Sequence, residues 1–219
     1  MDSMLDESRV RARLEPFQLE LSSSQISQLL AYLEILLRWN RKINLTSIRT
    51  GEECVTRHFG ESLYLACRVD LKGNLLDIGS GAGFPGLALR IAFPDLATTL
   101  LEPVAKKRAF LKEVARVCGI SEVDVRPERL EDFARQNPAT TFDTITARAV
   151  GHFDSLIPHA LKVLKPGGRI CLWIGQNQGQ LVQESSERMQ WEEPIAIPMA
   201  REREIWVGTH NPNRTPDSP

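Results

Sequence analysis

Leu75-Leu76-Asp77-Ile78 runs directly into Gly79-Ser80-Gly81-Ala82-Gly83-Phe84-Pro85-Gly86, and no other feature limits the possible folds as tightly. An apolar strand ending in a glycine-rich turn that opens a helix brings backbone N–H groups close to a ligand. The type of turn can be tested against known patterns. The phosphate cradle of nucleotide triphosphatases needs Gly-Lys-Ser/Thr, whereas Gly86 is followed by Leu87. The dinucleotide fingerprint needs glycine at position 84. Phe84 stands there, and its ring would obstruct a pyrophosphate. What remains is G-x-G-x-G, which suits a smaller ligand without phosphates.

The residues on either side follow two different rules. From Ser22 to about Arg41, Ile26, Leu29, Leu30, Leu33, Leu36 and Leu37 recur at helical spacing, and Ser22 with Gln25 reads as a capping box. A shorter helix is expected over about 6–14, ended by Pro16, and another after Gly51 through Val55, Phe59, Leu63 and Leu65. After Gly73 short apolar runs alternate with amphipathic stretches. Strands are expected at Leu75–Ile78, Thr98–Leu101, Val123–Val125, Phe142–Thr146 and Ile170–Ile174, with helices at 86–92, 105–117, 128–136 and 153–164. Such alternation specifies a doubly wound, mostly parallel sheet. Pro194–Ile197 and Ile205–Val207 would form an antiparallel edge. Residues 1–70 are read as a helical N-terminal subdomain and 71–208 as the Rossmann-like α/β domain. The proline-rich tail 209–219 and the first half-dozen residues are read as disordered.

Two further signs sharpen the ligand. Glu102 closes the strand Thr98–Leu101, where an acidic side chain can accept both hydroxyls of a ribose. Leu164-Lys165-Pro166-Gly167-Gly168-Arg169 reads as a helix stop and turn feeding a strand, and it resembles the lead-in to the fifth strand of many methyltransferases of this fold. S-adenosylmethionine fits the loop and Glu102 together. It offers a carboxylate to backbone donors, a flat adenosine and no phosphate. Gly79, Ser80, Gly81 and Gly83 are the loop positions expected against it, with Gly81 leaving no room for a side chain.

Composition excludes several other classes. The 219 residues suffice for one full core. No run approaches 18 apolar residues, and Met1–Arg13 is charged where a secretory signal would be apolar. Cys54, Cys67, Cys118 and Cys171 are scattered, with no C-x-x-C pair and no histidine at metal spacing. They read as thiols of a cytoplasmic protein without a metal site. The net charge of −1 does not announce a nucleic-acid binder. It hides a basic block, however: Arg38, Arg41, Lys42, Arg49 and Arg57 against only Glu52 and Glu53 over residues 38–58.

Several segments together resemble one family. They are Trp39-Asn40-x-x-x-Asn44-Leu45-Thr46-Ser47, Arg57-His58, the loop Gly79–Gly86 with Pro85, Lys106-Lys107-Arg108-x-Phe110-Leu111, Arg129-Leu130-Glu131 and Ala147-Arg148-Ala149. Over roughly residues 17–208 the chain is similar to the glucose-inhibited division protein B family, the bacterial 16S ribosomal RNA 7-methylguanosine methyltransferases. The resemblance implies that Gly79, Phe84, Glu102, Leu130, Glu131 and Arg148 line a cofactor pocket. It also implies a partner, 16S ribosomal RNA in the 30S subunit or a precursor, met by a monomer. One departure stands out: Trp173-Ile174-Gly175 occupies the place of Leu-Lys-Gly in many members, which removes a lysine that could hold a phosphate.

The segment after the fourth strand bears on the acceptor atom. The Asn/Asp-Pro-Pro-aromatic run of exocyclic-amine methylation is absent, and no cysteine nucleophile lies between 119 and 170. Guanine N7 needs neither, because it has a lone pair and no proton. Arg148, at the strand's carboxyl end, is expected to hold the cofactor carboxylate or an RNA oxygen and is the one catalytic candidate. Arg38, Arg41, Lys42, Arg57 and His58 are expected at the RNA. Trp39 and Tyr32 are read as packing residues, and Lys106, Lys107, Arg108 and Lys112 fit a solvated helix face as well as an RNA contact. Two rival functions stay open: the same chemistry on a protein or small molecule, and a cofactor-binding module without activity.

Overall fold

Residues 5–138 and 141–213 are described by a computed structural model of the chain. Asp6 caps α1 (Glu7–Leu14) by accepting from the Arg9 N–H, and Pro16 follows inside a 3-10 turn, Glu15–Phe17. Ser22 and Gln25 form the expected capping box at the start of α2 (Ser23–Asn40), which buries Ile26, Leu29, Leu33 and Leu36 along one face. The segment after Thr50 is one helical run whose hydrogen-bond pitch changes three times. It comprises α3 (Gly51–Cys54), a π-helical stretch (Val55–Gly60), α4 (Glu61–Leu63) and a 3-10 turn (Tyr64–Cys67).

The sheet follows: β1 (Asn74–Ile78), α5 (Gly86–Ala92), β2 (Ala97–Leu101), α6 (Ala105–Val117), β3 (Val123–Arg126), α7 (Leu130–Gln136), β4 (Phe142–Arg148), α8 (Phe153–Leu161) and β5 (Leu164–Gly175). Then come α9 (Gly179–Glu184), β6 (Met189–Trp191), β7 (Ile195–Ala196) and β8 (Arg203–His210). Strand order is β3-β2-β1-β4-β5-β8-β6, with β7 also on β8. The first five strands are parallel, and β8 runs antiparallel between β5 and β6. Order reverses between β1 and β4, so the fold's own crevice opens at the carboxyl ends of those two strands.

Several expectations need correction. Thr209 and His210 are not tail: they end β8, paired with Gln190 and Met189, because the edge strand β6 needs them as partners. Residues 214–219 lie outside the described residues, as do 1–4, but Leu5 packs on the core and Asp6 is a cap. The helix expected to 164 stops at Leu161, and Leu164 already pairs with Phe142. The register then jumps to Arg169 opposite Thr144, so Lys165–Gly168 is a bulge carried inside β5. The N-terminal helices share one continuous core with the sheet: Val10, Leu36 and Phe59 belong to the same cluster as Leu75, Leu100 and Val207. The opposite face of the sheet buries Leu76, Ile145, Ile170 and Leu172 under α7, α8 and α9.

Candidate functional site

The glycine loop divides into two kinds of position. Gly79 and Gly81 have φ of +65° and +56°. A Cβ on Gly79 would meet nothing within 4 Å, and one on Gly81 only the Gly79 carbonyl at 3.7 Å. The loop therefore keeps open space at the carboxyl end of β1. Gly83 is glycine for another reason. A Cβ there would strike the Tyr32 hydroxyl, Leu111 and Leu87. Its N–H donates to the Ser80 carbonyl at 2.6 Å, so it closes the turn and faces the helical layer. The Ser80 hydroxyl bonds the Asp77 carbonyl at 3.0 Å, and its N–H the Leu101 carbonyl at 2.9 Å.

Glu102 is buried and binds this loop to the next helix. Its Oε2 accepts from the Gly81 N–H and its Oε1 from the Val104 N–H, both at 2.8 Å. Each carboxylate oxygen keeps a further lone pair. Beside it a cleft of about 330 Å3 is lined by Ile78, Gly79, Leu101, Pro103, Arg129, Leu130, Glu131, Val150, Gly151, His152 and Leu156. That size and apolar lining suit a small ligand. Gly79, Leu130 and Glu131 thus meet at one opening. A broader depression of about 600 Å3, around Lys162 and Glu184–Arg188, lies at the far end of α8. Because α8 runs back from the carboxyl edge, that depression sits on the side where sheets of this kind do not bind ligands.

Phe84 and Arg148 sit differently from the rest of the expected set. The Phe84 ring is buried, stacked between Tyr32 (5.2 Å between centroids) and His58 (4.7 Å), with Phe59 edge-on at 5.1 Å. The Phe84–Pro85 peptide is cis. Tyr32 donates to the Ala82 carbonyl, so the glycine loop rests on an aromatic stack from the N-terminal helices. Arg148 turns toward the same helices. It donates to Glu61 Oε2 and the Arg57 carbonyl, both at 2.8 Å, and to Ser62 Oγ at 3.2 Å. Arg203 on β8 bonds the other oxygen of Glu61 at 2.6 Å. Glu61 is 3% exposed along its side chain and serves both guanidiniums. Trp173 donates to the Glu61 carbonyl at 2.8 Å.

The residues expected at RNA separate in the same way. Arg41 and Lys42 are exposed. Arg38 pairs with Glu113, and Arg57 with Glu53 at 3.1 Å. His58 is neutral: burial, with Arg148 and Arg57 nearby, pushes its imidazole down to about 3. Its Nε2 shares a hydrogen bond with Thr46 Oγ1 at 2.7 Å. Thr46 is held in turn by Asn40, whose amide accepts from the Leu45 and Thr46 N–H groups and donates to the Thr46 and Ile48 carbonyls. Ile174, which the resemblance sets where many members carry lysine, is buried in the core and offers nothing to the surface.

Sequence reasoning missed Asp77 and Glu61. Burial pushes the Asp77 carboxyl up to about 6, against the pull of the Thr146 hydroxyl bonded to Oδ1 at 2.7 Å. Each has a visible signal: an acid inside an apolar strand, and an acid between Phe59 and Leu63 on a helical face. His152 and Ala149, both non-glycine with positive φ (57° and 55°), shape the β4–α8 loop at the cleft. Among the described residues no group of three or more His, Cys, Asp or Glu could hold a metal, and no helix is long and apolar enough to cross a membrane.

A 3-2-1-4-5 parallel order with an antiparallel strand beyond it, a glycine loop after β1 and an acid after β2 together define a methyltransferase of the Rossmann-like class. In fold the chain is similar to the ribosomal protein L11 methylase from Lactobacillus delbrueckii subsp. bulgaricus (TM-score 0.60, 15% identity, 71% of this chain and 79% of that one). The family model for GidB, rRNA small subunit methyltransferase G, matches residues 25–205. The chain is 38% identical to the ribosomal RNA small subunit methyltransferase G of Desulfitobacterium hafniense over 180 residues, covering 82% of this chain and 75% of the relative. It is 36% identical to that of Sorangium cellulosum over 212 residues, covering 93% and 89%. The chain belongs to the GidB family of small-subunit rRNA methyltransferases.

Proposed function

We propose that the chain transfers a methyl group from S-adenosylmethionine to N7 of a guanine in 16S ribosomal RNA, acting on the 30S subunit or a precursor. The observation that carries this reading is the open space over Gly79 and Gly81 beside the buried Glu102 carboxylate, at the β1/β4 switch point. A side chain at Gly79 would fill that space, and Glu102 keeps lone pairs for two ribose hydroxyls. Leu130 and Glu131 would flank the adenine. When bound, the cofactor supplies an electrophilic methyl group on a sulfonium.

The chain's own groups favour an acceptor that loses no proton. Asp77 is locked beneath Thr146, and Arg148 stays protonated. Burial pushes the Cys54 and Cys171 thiols up to about 12 and Cys118 up to about 11, which keeps them from acting as nucleophiles. Guanine N7 presents a bare lone pair, so positioning is sufficient. Arg148, held by Glu61, would act as a positioning residue that joins β4 to the helices carrying the Phe84 stack.

Labelled S-adenosylmethionine and undermethylated 30S subunits provide the test. Label should enter 16S RNA and be recovered on digestion as 7-methylguanosine. Label found only in ribosomal protein, or at another atom of the RNA, contradicts the proposal.

A further inference from the structure

We infer that the adjoining ends of α2 and α6 form one basic ridge that carries the RNA backbone to the mouth of the cofactor cleft. This rests on the reading of the substrate as ribosomal RNA. The two helices pack antiparallel. Gln28 Nε2 donates to the Cys118 carbonyl at 2.8 Å, and Trp39 Nε1 to Glu113 Oε2 at 2.9 Å. The Trp39 ring meets Phe110 edge-on at 5.8 Å. α2 ends at Asn40 and α6 begins at Ala105, so the antiparallel pairing brings the segment carrying Arg41 and Lys42 to the same end of the pair as Lys106 and Lys107.

Charge is segregated onto this seam. Residues 35–50 contain four basic residues and no acid, and residues 103–112 contain another four and no acid. The rest of the chain keeps 19 of its 27 basic residues against all 28 acidic ones. Arg49 is tied to the Asn40 carbonyl, and Arg108 to the carbonyls of Glu102 and Pro103. Glu113, the acid at the centre of the seam, is taken by Arg38 and Trp39, and Glu34 lies one turn further back. Arg41, Lys42, Lys106 and Lys112 remain exposed and Lys107 half-buried, with no ion pair among the described residues.

The ridge leads to the site by covalent continuity. α6 starts three residues after Glu102, whose carboxylate holds Gly81, and Pro103 lines the cleft. Val104 stands 46% exposed at the lip. Lys106 and Lys112 are six residues apart, about 9 Å along the helix axis and about a third of a turn around it, so a strand that crosses α6 obliquely meets both. Grouped like charges with no acid between them repel one another in the free protein, and a polyanion removes that repulsion while releasing its counterions.

The test compares Arg41→Ala/Lys42→Ala, Lys106→Ala/Lys112→Ala and the quadruple variant with the wild type. Lys72→Ala/Lys162→Ala serves as a charge-matched control elsewhere on the surface. Binding to protein-free 16S RNA and to 30S subunits is measured across a salt series. Each lost contact to a single strand should flatten the log-affinity against log-salt slope by about 0.7, so by about 1.4 in each double variant and about 2.8 in the quadruple. S-adenosylmethionine affinity should match the wild type throughout. If the α6 pair keeps the wild-type slope while the wild type binds RNA, the ridge is overturned and the substrate reading stands. If the variants lose 30S binding but bind free RNA like the wild type, the ridge meets a ribosomal protein and the inference fails. A wild-type enzyme that binds neither RNA nor 30S overturns both readings.

Discussion

Gly81 and Gly83 are two residues apart and are glycine for opposite reasons. Gly81→Val, strained by the φ of +56°, should still fold but should no longer bind S-adenosylmethionine in calorimetry. Gly83→Ala should lower the melting temperature, because its Cβ collides with Tyr32 and two leucines; overpacking of this kind costs about 1–3 kcal/mol. Equal melting losses with binding intact in both would erase the distinction. Glu102→Ala removes a charged acceptor whose hydrogen bonds are worth about 1.5–3 kcal/mol each, so cofactor affinity should fall at least tenfold. Two other residues leave a mark on acid stability. Asp77 titrates near 6 against an ordinary 3.8, so the native state holds its proton more tightly and stability falls as pH rises through that window. His58 titrates near 3 against 6.5, so the native state binds fewer protons and stability is lost as pH falls through that window. The two largely cancel between about pH 3.8 and 6, and the His58 effect acts alone just above and below that window. Urea melts at pH 4 and pH 7 should show Asp77→Asn losing up to about 3 kcal/mol more than wild type on acidification, and His58→Gln losing less. Parallel pH profiles in all three proteins would contradict this.

At the level of elements, Glu61 fastens α4 to β4 and β8 through Arg148 and Arg203. Removing one partner of a buried ion pair costs about 3–5 kcal/mol, because the remaining charge is stranded. Glu61→Gln should therefore lower the free energy of unfolding by about 3 kcal/mol or more, measured by denaturant melts. A loss below 1 kcal/mol would mean that water relieves the two guanidiniums. The elements that were legible in the sequence had strong periodicity or explicit caps: Ser22 with Gln25 for α2, and the apolar runs of β1, β2 and β4. Those that were not legible draw on partners distant in the chain. β6 spans three residues and exists as a strand because β8 pairs with it. The same pairing claims Thr209 and His210, whose local composition is that of a tail. Within the π-helical stretch Val55–Gly60, Gly60 is fixed by a distant partner as well: a side chain there would strike the Phe17 ring.

Over the whole molecule, the glycine loop, the acid at Glu102 and the alternation of strands with helices could be read directly, because each depends on residues close together in the chain. The destination of Arg148 could not. Its partner Glu61 is 87 residues away, and a strand-end arginine reads as a ligand contact until its neighbours are known. Arg38 is a similar case, since Glu113, 75 residues away, takes charge that composition alone leaves free. The helical layer and the sheet share one core, and the aromatic stack from Tyr32 to His58 supports the glycine loop. The proposed chemistry stands or falls on the acceptor atom. The most direct measurement uses 16S RNA transcribed with 7-deazaguanine in place of guanine, assembled into 30S particles beside an unsubstituted control. Methyl transfer to the 7-deaza particles should vanish while binding stays near that of the control. Methylation of the 7-deaza RNA at the control rate would remove N7 as the acceptor.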